Sequence, residues 1–162
     1  MLVLGVDPGS MVTGYGLVKK EGNKLFFVGG GKISAPCSRP FYQRIHNIFK
    51  SLTEIIEKYR PMEMSLEDVF FAKNVKSALK IGHVRGAAMV AAAQYGLKVF
   101  EYTPLQIKQS VVGYGRATKE QVRAMVKLIL KLDTSLSLDT TDALAIAICH
   151  HNWTRFEDNL SI

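Results

Sequence analysis

Cysteine, tryptophan and proline are scarce in this chain, whose 162 residues include two cysteines, one tryptophan and five prolines. So few cysteines exclude a disulfide-based scaffold. Cys37 and Cys149 are far apart in sequence, and neither lies in a Cys-x-x-Cys pair of the kind that holds zinc or a redox disulfide. We therefore expect two unreactive thiols in a reducing compartment, with the protein in the cytoplasm.

Long apolar runs are also lacking. The longest nearly apolar run, residues 86–93, is far too short to span a membrane, so we expect no membrane partner. The first ten residues carry no basic leader and predict a strand rather than a signal peptide. Hydrophobic residues make up 48% of the chain and charged residues 22%, which excludes a disordered or collagen-like chain. The length favours one domain over residues 1–162.

Acidic residues are few relative to basic ones, since 14 Asp and Glu face 21 Lys and Arg and the net charge is +7. The excess is concentrated between residues 72 and 131, where eleven basic residues face only Glu101 and Glu120. Such a basic stretch favours a binding surface for an anionic partner such as a nucleic acid. The alternative is that the excess of lysine only aids solubility.

The pattern of apolar residues and turn residues predicts hairpins first and alternating strands and helices afterwards. Strands are expected at 2–7, 15–19, 25–33, 62–67 and 98–102. Helices are expected at 41–59 with Ser38 as N-cap, from Asn74 or Ser77 to Tyr95, at 103–113, from Thr118 onwards and at 139–151. This order predicts an α/β domain with a mixed five-stranded sheet and helices on both faces.

Four carboxylates are placed so that such a fold can bring them together. Asp7 ends the first strand and Glu67 the fourth, and parallel neighbours would release both side chains at the same edge of the sheet. Asp139 and Asp142 share one face of the last helix. Clustered carboxylates repel one another unless cations neutralise them, and oxygen ligands suit Mg²⁺ or Mn²⁺. Two such ions about 3.5–4 Å apart can activate water to cleave a phosphodiester.

Each acid also has a purely structural interpretation. Asp7 precedes Pro-Gly and could belong to a turn, while Asp139 and Asp142 could be the N-cap and a first-turn acid of a helix. Asp68 is the alternative to Glu67 as the functional acid, although strand alternation points it the opposite way.

Four segments resemble motifs of the RuvC family of Holliday-junction resolvases, in the family's order and spacing. They are GVDPGSMVTGYGLV at 5–18, SLEDVFFAKNVKSALKIGHVRG at 65–86, QIKQSVVGYGRATKEQV at 106–122 and DTTDALAIAICH at 139–150. The resemblance covers residues 2–151. It implies a ribonuclease-H-like fold, a homodimer, and paired symmetric nicks in four-way junction DNA that leave 5′-phosphate ends, in homologous recombination and DNA repair.

By motif position, the resemblance assigns metal binding and catalysis to Asp7, Glu67, Asp139 and Asp142. It implies two Mg²⁺ ions per active site, or Mn²⁺ in their place. A contact with the RuvA–RuvB branch-migration complex follows only by analogy with the family.

The same resemblance places a basic catalytic role on Lys108 and Lys119, for which the alternative is a solvated helix face. It matches Phe70 to the aromatic that stacks on bases at the junction centre, for which the alternative is hydrophobic packing. Further DNA contacts are expected from the basic stretch and one loop aromatic, namely Lys73, Lys76, Lys80, Arg85, Tyr114, Arg116 and Arg123.

Three other functions stay open at this point. A ribonuclease acting on RNA–DNA hybrids would use the same acids and basic surface. A non-catalytic junction-binding module would be marked by a missing acid, and none is missing. GVDPGS alone also resembles the first phosphate loop of sugar kinases and actin-like ATPases, which need a second lobe that this length hardly accommodates. His150 and His151 are not expected to bind metal, because adjacent helical side chains point about 100° apart.

Overall fold

A mixed five-stranded sheet forms the centre of the protein. The computed structural model describes residues 1–68, 74–133 and 136–160, with the side chains of 155–160 excepted. The strands are β1 (Leu2–Asp7), β2 (Val12–Glu21), β3 (Lys24–Ser34), β4 (Glu63–Glu67) and β5 (Lys98–Tyr102). The helices are α1 (Phe41–Tyr59), α2 (Val75–Gln94), α3 (Pro104–Val112), α4 (Lys119–Leu130) and α5 (Leu138–Leu160).

The strands lie in the order β3-β2-β1-β4-β5. β1 is antiparallel to β2 and parallel to β4, and β5 extends the parallel half. Val6 pairs with Leu66, and the residues that follow them, Asp7 and Glu67, end the two strands at the same edge of the sheet. The parallel pairing on which the predicted site depended is therefore present.

Helices cover both faces of the sheet, as the sequence predicted. On one face, α1 and α2 pack over Leu4, Val6 and Leu66. On the other face, α3, α4 and α5 pack over Val3 and Val18. All five of these strand residues are fully buried. β1 is apolar on both sides because it lies between two layers of helices.

The last helix lies unusually close to the central strands, at positions where the strands carry glycine. A Cβ on Gly5 would overlap the carbonyl oxygen of Ala143, and a Cβ on Gly14 would overlap the carbonyl group of Asp139. The absence of side chains at these two positions lets the helix backbone approach the sheet. The first two turns of α5 consequently lie beside the end of β1.

Helix ends differ from the sequence-based expectation in two places. α1 begins after Pro40 without a side-chain cap, so the prediction of Ser38 as N-cap was wrong. α5 continues to Leu160, beyond the predicted end at His151. The open choice at the start of α2 falls on Asn74, whose side chain caps the helix. Among the described helices, none is both long enough and apolar enough to cross a membrane.

Candidate active site

Three carboxylates and two lysines line one cavity of about 310 Å³ at the carboxyl edge of the parallel strands. Asp7 comes from β1, Glu67 from β4 and Asp142 from α5. Lys108 projects from α3, and Lys119 is the first residue of α4. Three acids that are far apart in sequence thus face the same space.

The helices that present the lysines begin at well-formed caps. Thr103 before α3 and Thr118 before α4 each form a capping box with the glutamine three residues later. A capping box satisfies N–H groups that the first turn leaves unpaired and fixes where the helix starts. The predicted capping box at Thr118 is confirmed, and it fixes the start of α4 at Lys119, which lines the cavity.

Burial and electrostatic repulsion both disfavour the charged form of the Asp7 carboxyl. Burial raises the pKa of Asp7 to about 7, and the carboxylates of Glu67, Asp142 and Asp139 add to the rise, while Lys119 opposes it. Burial also raises the pKa of Glu67, against the opposing charges of Lys119 and Lys108. A half-buried cluster of negative charges is unfavourable by itself, and a cation bound among the carboxylates would relieve the repulsion.

Asp139 lies at the border of this site. It does not line the cavity, but its charge acts on Asp7 and on Arg123. Its backbone carbonyl lies against Gly14 in β2. The four predicted acids are therefore brought into one neighbourhood, with three of them facing the cavity.

Asp142 is engaged by an arginine that sequence reasoning assigned to DNA. Arg123 of α4 donates from Nε to Asp142 Oδ1 at 3.0 Å and from Nη2 to Oδ2 at 2.9 Å. Both side chains are only partly exposed. No signal in the sequence could reveal this pair, because the two residues lie on different helices and meet only in the folded chain.

The donor set fits a hard divalent cation, although the ligands are not yet assembled around one point. Asp7, Glu67 and Asp142 supply only oxygen, which Mg²⁺ and Mn²⁺ prefer. Within residues 1–68, 74–133 and 136–154, no three acidic, histidine or cysteine side chains are close enough to hold an ion as they stand. Both oxygens of Asp142 are bound to Arg123 instead.

The comparisons with known proteins identify the family. The family model described as crossover junction endodeoxyribonuclease RuvC matches residues 3–150. The chain belongs to the RuvC family. The crossover junction endodeoxyribonuclease RuvC of Geobacter sulfurreducens is 53% identical over 152 residues, which cover 94% of this chain and 93% of that protein.

Solved structures agree with the RuvC assignment. The structure of RuvC from Thermus thermophilus in complex with a Holliday junction substrate superposes with a TM-score of 0.92 at 34% identity, covering 97% of this chain and 96% of that one. The yeast mitochondrial Holliday junction resolvase gives a TM-score of 0.66 at 13% identity, over 98% of this chain and 80% of that one, and shows the shared ribonuclease-H-like fold alone. The expected fold class is confirmed. As a RuvC family nuclease, the protein depends on a divalent metal.

The RuvC motif SLED contains two adjacent acids, and the structure separates their positions. Glu67 lines the cavity, whereas Asp68 does not. Asp68 forms an ion pair with Arg85 at 3.2 Å, and Arg85 forms a second ion pair with Glu101. Asp68 therefore belongs to a bridge from α2 to the end of β4 and β5, as strand alternation indicated.

The other residues expected to contact DNA have varied surroundings. Lys76 and Lys80 are exposed on α2, and Tyr114 and Arg116 are exposed in the loop before α4. The side chain of Arg85 is only 15% exposed, because it is held by its two acidic partners. Phe70 and Lys73 lie outside the described residues.

A buried polar chain on the sheet was not anticipated. His150 bonds through Nδ1 to the hydroxyl of Tyr102 and through Nε2 to Glu63, both at 2.7 Å. Its neighbour His151 bonds through Nε2 to the carbonyl of Val18 at 2.9 Å. The two rings point to different partners, which agrees with the expectation that they do not chelate together.

A second cavity, of about 710 Å³, lies away from the carboxylates. It lies between the β2–β3 hairpin, the end of α4 and α5. The described residues that line it include Lys20, Lys24 and Lys131 but no acidic residue. It is larger than the carboxylate cavity and carries none of the candidate catalytic groups.

Proposed function

We propose that this protein resolves four-way (Holliday) junctions by paired symmetric nicks, using water activated by divalent metal, in recombination and repair within the cytoplasm. The supporting observation is the cavity that joins Asp7, Glu67 and Asp142 to Lys108 and Lys119 in a RuvC family chain. All of these residues belong to one sheet and its helices, which supports a single nuclease domain over residues 1–162.

Asp7, Glu67, Asp142 and the bordering Asp139 would hold the metal, for which we propose two Mg²⁺ ions, with Mn²⁺ as a substitute. The bound metal would supply charge that activates water and stabilises the leaving oxygen of a phosphodiester. The carboxylates would hold the metal at the edge of the sheet where β1 and β4 end. The carboxylates already repel one another in the folded protein without metal, so bound cations would reduce that repulsion.

Lys108 and Lys119 would bind the scissile phosphate. Each lines the cavity from a helix, Lys108 from α3 and Lys119 from the first turn of α4. An ammonium group there attracts the DNA backbone and offsets the negative charge that develops during hydrolysis. Lys76, Lys80, Tyr114 and Arg116 are exposed and suit contacts with more distant parts of the junction, and Phe70, Lys73, Arg85 and Arg123 complete our proposed DNA contacts.

A homodimer would match the two-fold symmetry of the junction, and the exposed face of α2 is the surface that we propose for it. Val75, Leu79 and Val90 are 71%, 58% and 59% exposed on this helix. A Cβ at Gly82 or Gly86 would meet no atom of the described residues within 4 Å. Glycine inside a helix costs about 1 kcal/mol relative to alanine, and no contact in the described chain requires it here. A second copy packed on this face would make use of both features.

The deciding experiment is a cleavage assay on three substrates. A four-way junction, a linear duplex and an RNA–DNA hybrid are incubated with the full chain and Mg²⁺, and wild type is compared with Asp7→Asn. We expect symmetric nicks in the junction alone, and none with Asp7→Asn, which should still bind the junction. Cleavage of the hybrid would instead favour a ribonuclease, and binding without any cleavage would favour a junction-binding module. The RuvA–RuvB complex is our proposed partner by family analogy.

A further inference from the structure

The ion pair between Arg123 and Asp142 occupies a position where the proposed nuclease needs a free carboxylate. Both oxygens of Asp142 accept hydrogen bonds from the guanidinium, at 3.0 and 2.9 Å. A forked arginine–carboxylate pair of this kind is among the stronger polar contacts in proteins. For the Asp142 carboxylate to bind a cation, one of these hydrogen bonds must break, or one oxygen must bind the cation and the guanidinium at the same time.

The surroundings of Arg123 favour the ion pair with Asp142. Besides Asp142, the charges of Glu120 and Asp139 act on the guanidinium. The Arg123 side chain is nevertheless 18% exposed, and that of Asp142 is 25% exposed, so the pair lies at the rim of the site rather than in the core. Lys119, which lines the cavity, is one helical turn before Arg123 on α4.

We propose that Arg123 is a positioning residue that holds Asp142 away from divalent metal in the DNA-free protein and releases it when a DNA phosphate binds the guanidinium. This inference rests on the proposed function and adds a form of regulation to it. Phosphate and carboxylate both match the planar fork of arginine, so the DNA backbone is a suitable competitor for the same donors. Assembly of the metal site is thereby coupled to the presence of substrate, and by linkage metal and DNA increase each other's affinity.

Metal binding without DNA tests the first half of the proposal. Free Mn²⁺ is followed by electron paramagnetic resonance during titration of the full chain, for wild type, Arg123→Gln and Lys127→Gln. Lys127 is exposed, lies one turn further along α4, and carries the same charge. We expect Arg123→Gln to bind Mn²⁺ about five- to tenfold more tightly than wild type, and Lys127→Gln to differ by less than about twofold.

Equal gains in the two variants would mean that net charge alone is responsible, and would overturn the proposal. A double variant adds a second condition, because the gain must pass through Asp142. In an Asp142→Asn background, Arg123→Gln should produce no further gain in Mn²⁺ affinity, and a persistent gain would also overturn the proposal. If thermal unfolding shows that Arg123→Gln is poorly folded, Arg123→Lys, which keeps the charge but loses the fork, replaces it with the same expected direction.

Junction binding tests the release by DNA. Fluorescence anisotropy gives the Kd of a labelled four-way junction in Ca²⁺, a hard cation that binds oxygen ligands, and in EDTA. The Kd in EDTA divided by the Kd in Ca²⁺ should be several-fold larger for wild type than for Arg123→Gln, because the variant has no ion pair to release. Equal ratios would overturn the release step. None of these measurements uses cleavage, so failure of this inference and failure of the proposed nuclease activity give different results.

Discussion

Gly14 of β2 lies directly against the backbone of Asp139 at the start of α5, and it is also the register partner of Asp7 in the β1–β2 ladder. One glycine therefore contacts both a carboxylate-bearing strand end and a carboxylate-bearing helix. The spacing between these two elements depends on the absence of a side chain at this position.

Gly14→Ala should therefore displace the first turns of α5. Forcing a methyl group into a closed contact typically costs about 1–3 kcal/mol of folding free energy. We expect that loss in urea unfolding, together with a fall in junction cleavage that exceeds the fall in junction binding. Lys32, the exposed β3 partner of Gly14, provides the control, because Lys32→Ala should change stability by less than about 0.5 kcal/mol. Wild-type cleavage by Gly14→Ala would contradict this role.

Asp7 should destabilise the metal-free protein above neutral pH. Its folded-state pKa of about 7 exceeds the ordinary value of 3.8, so the folded state binds the proton more tightly than the unfolded state. Stability from this group is full below pH 4, declines as the pH rises towards 7, and is constant above that.

Urea unfolding in EDTA measures this effect. Asp7→Asn should be more stable than wild type by about 1–3 kcal/mol at pH 8 and nearly equal to it at pH 4. Asp133→Asn, in an exposed position after α4, should show no such difference between the two pH values. A variant that is less stable than wild type at pH 8 would show that Asp7 supports the fold instead.

His151 should have the opposite dependence on pH. Burial lowers its pKa to about 4 from 6.5, so the unfolded state binds the proton more tightly. Its Nε2–H donates to Val18, while Nδ1 has no partner among the described residues, which suits the neutral ring. Stability from this group is full above pH 6.5 and is lost as the pH falls towards 4.

The test uses the Asp7→Asn background, in which the opposing contribution of Asp7 is absent. In this background the free energy of unfolding should fall between pH 6.5 and pH 4.5. With His151→Gln added, this fall should be smaller by about 1–2 kcal/mol, as measured by urea unfolding at both pH values. His46→Gln on the exposed surface of α1 serves for comparison and should leave the profile unchanged. An unaltered profile for His151→Gln would mean that another group causes the acid sensitivity.

Gly86→Arg should separate the proposed dimer into monomers. Among the described residues the space beside Gly86 is open, so we expect the fold to tolerate the new side chain, whereas a second copy on α2 would be displaced. Sedimentation equilibrium should give half the mass of wild type, and the two nicks in a junction should lose their coordination. Ala124→Arg on the exposed side of α4 should remain dimeric. A dimer that survives Gly86→Arg would exclude this face as the interface.

The sequence predicted those features of the fold that depend on the local pattern of apolar and capping residues and on the direction of neighbouring strands. β1 is a short apolar run closed by Pro-Gly, and β4 alternates, so the ends of both strands were visible in sequence as Asp7 and Glu67. The capping box at Thr118 fixed the start of α4. The meeting of these elements at one sheet edge followed from parallel pairing, which the alternation of strands and helices predicts.

Contacts between long charged side chains could not be predicted in the same way. Arg123 and Arg85 each belong to a basic stretch that suggested DNA contacts, yet both hold carboxylates in the folded chain. Such pairs depend on how helices pack and leave no period in the sequence. Ser38 was wrong as a cap for a related reason, since the start of α1 is determined by Pro40 and the contacts of the helix rather than by a side-chain hydrogen bond.

The seam between α5 and β1 has a practical consequence for protein engineering. The backbone at Ala143 and Ala147 fills the space left by Gly5, while the acids Asp139 and Asp142 extend from the same helix. Enlarging small residues at this seam to make the protein more heat-resistant would displace the helix that carries these candidate metal-binding acids. Improvements in stability are better sought within α1, which carries none of the candidate catalytic or DNA-binding residues.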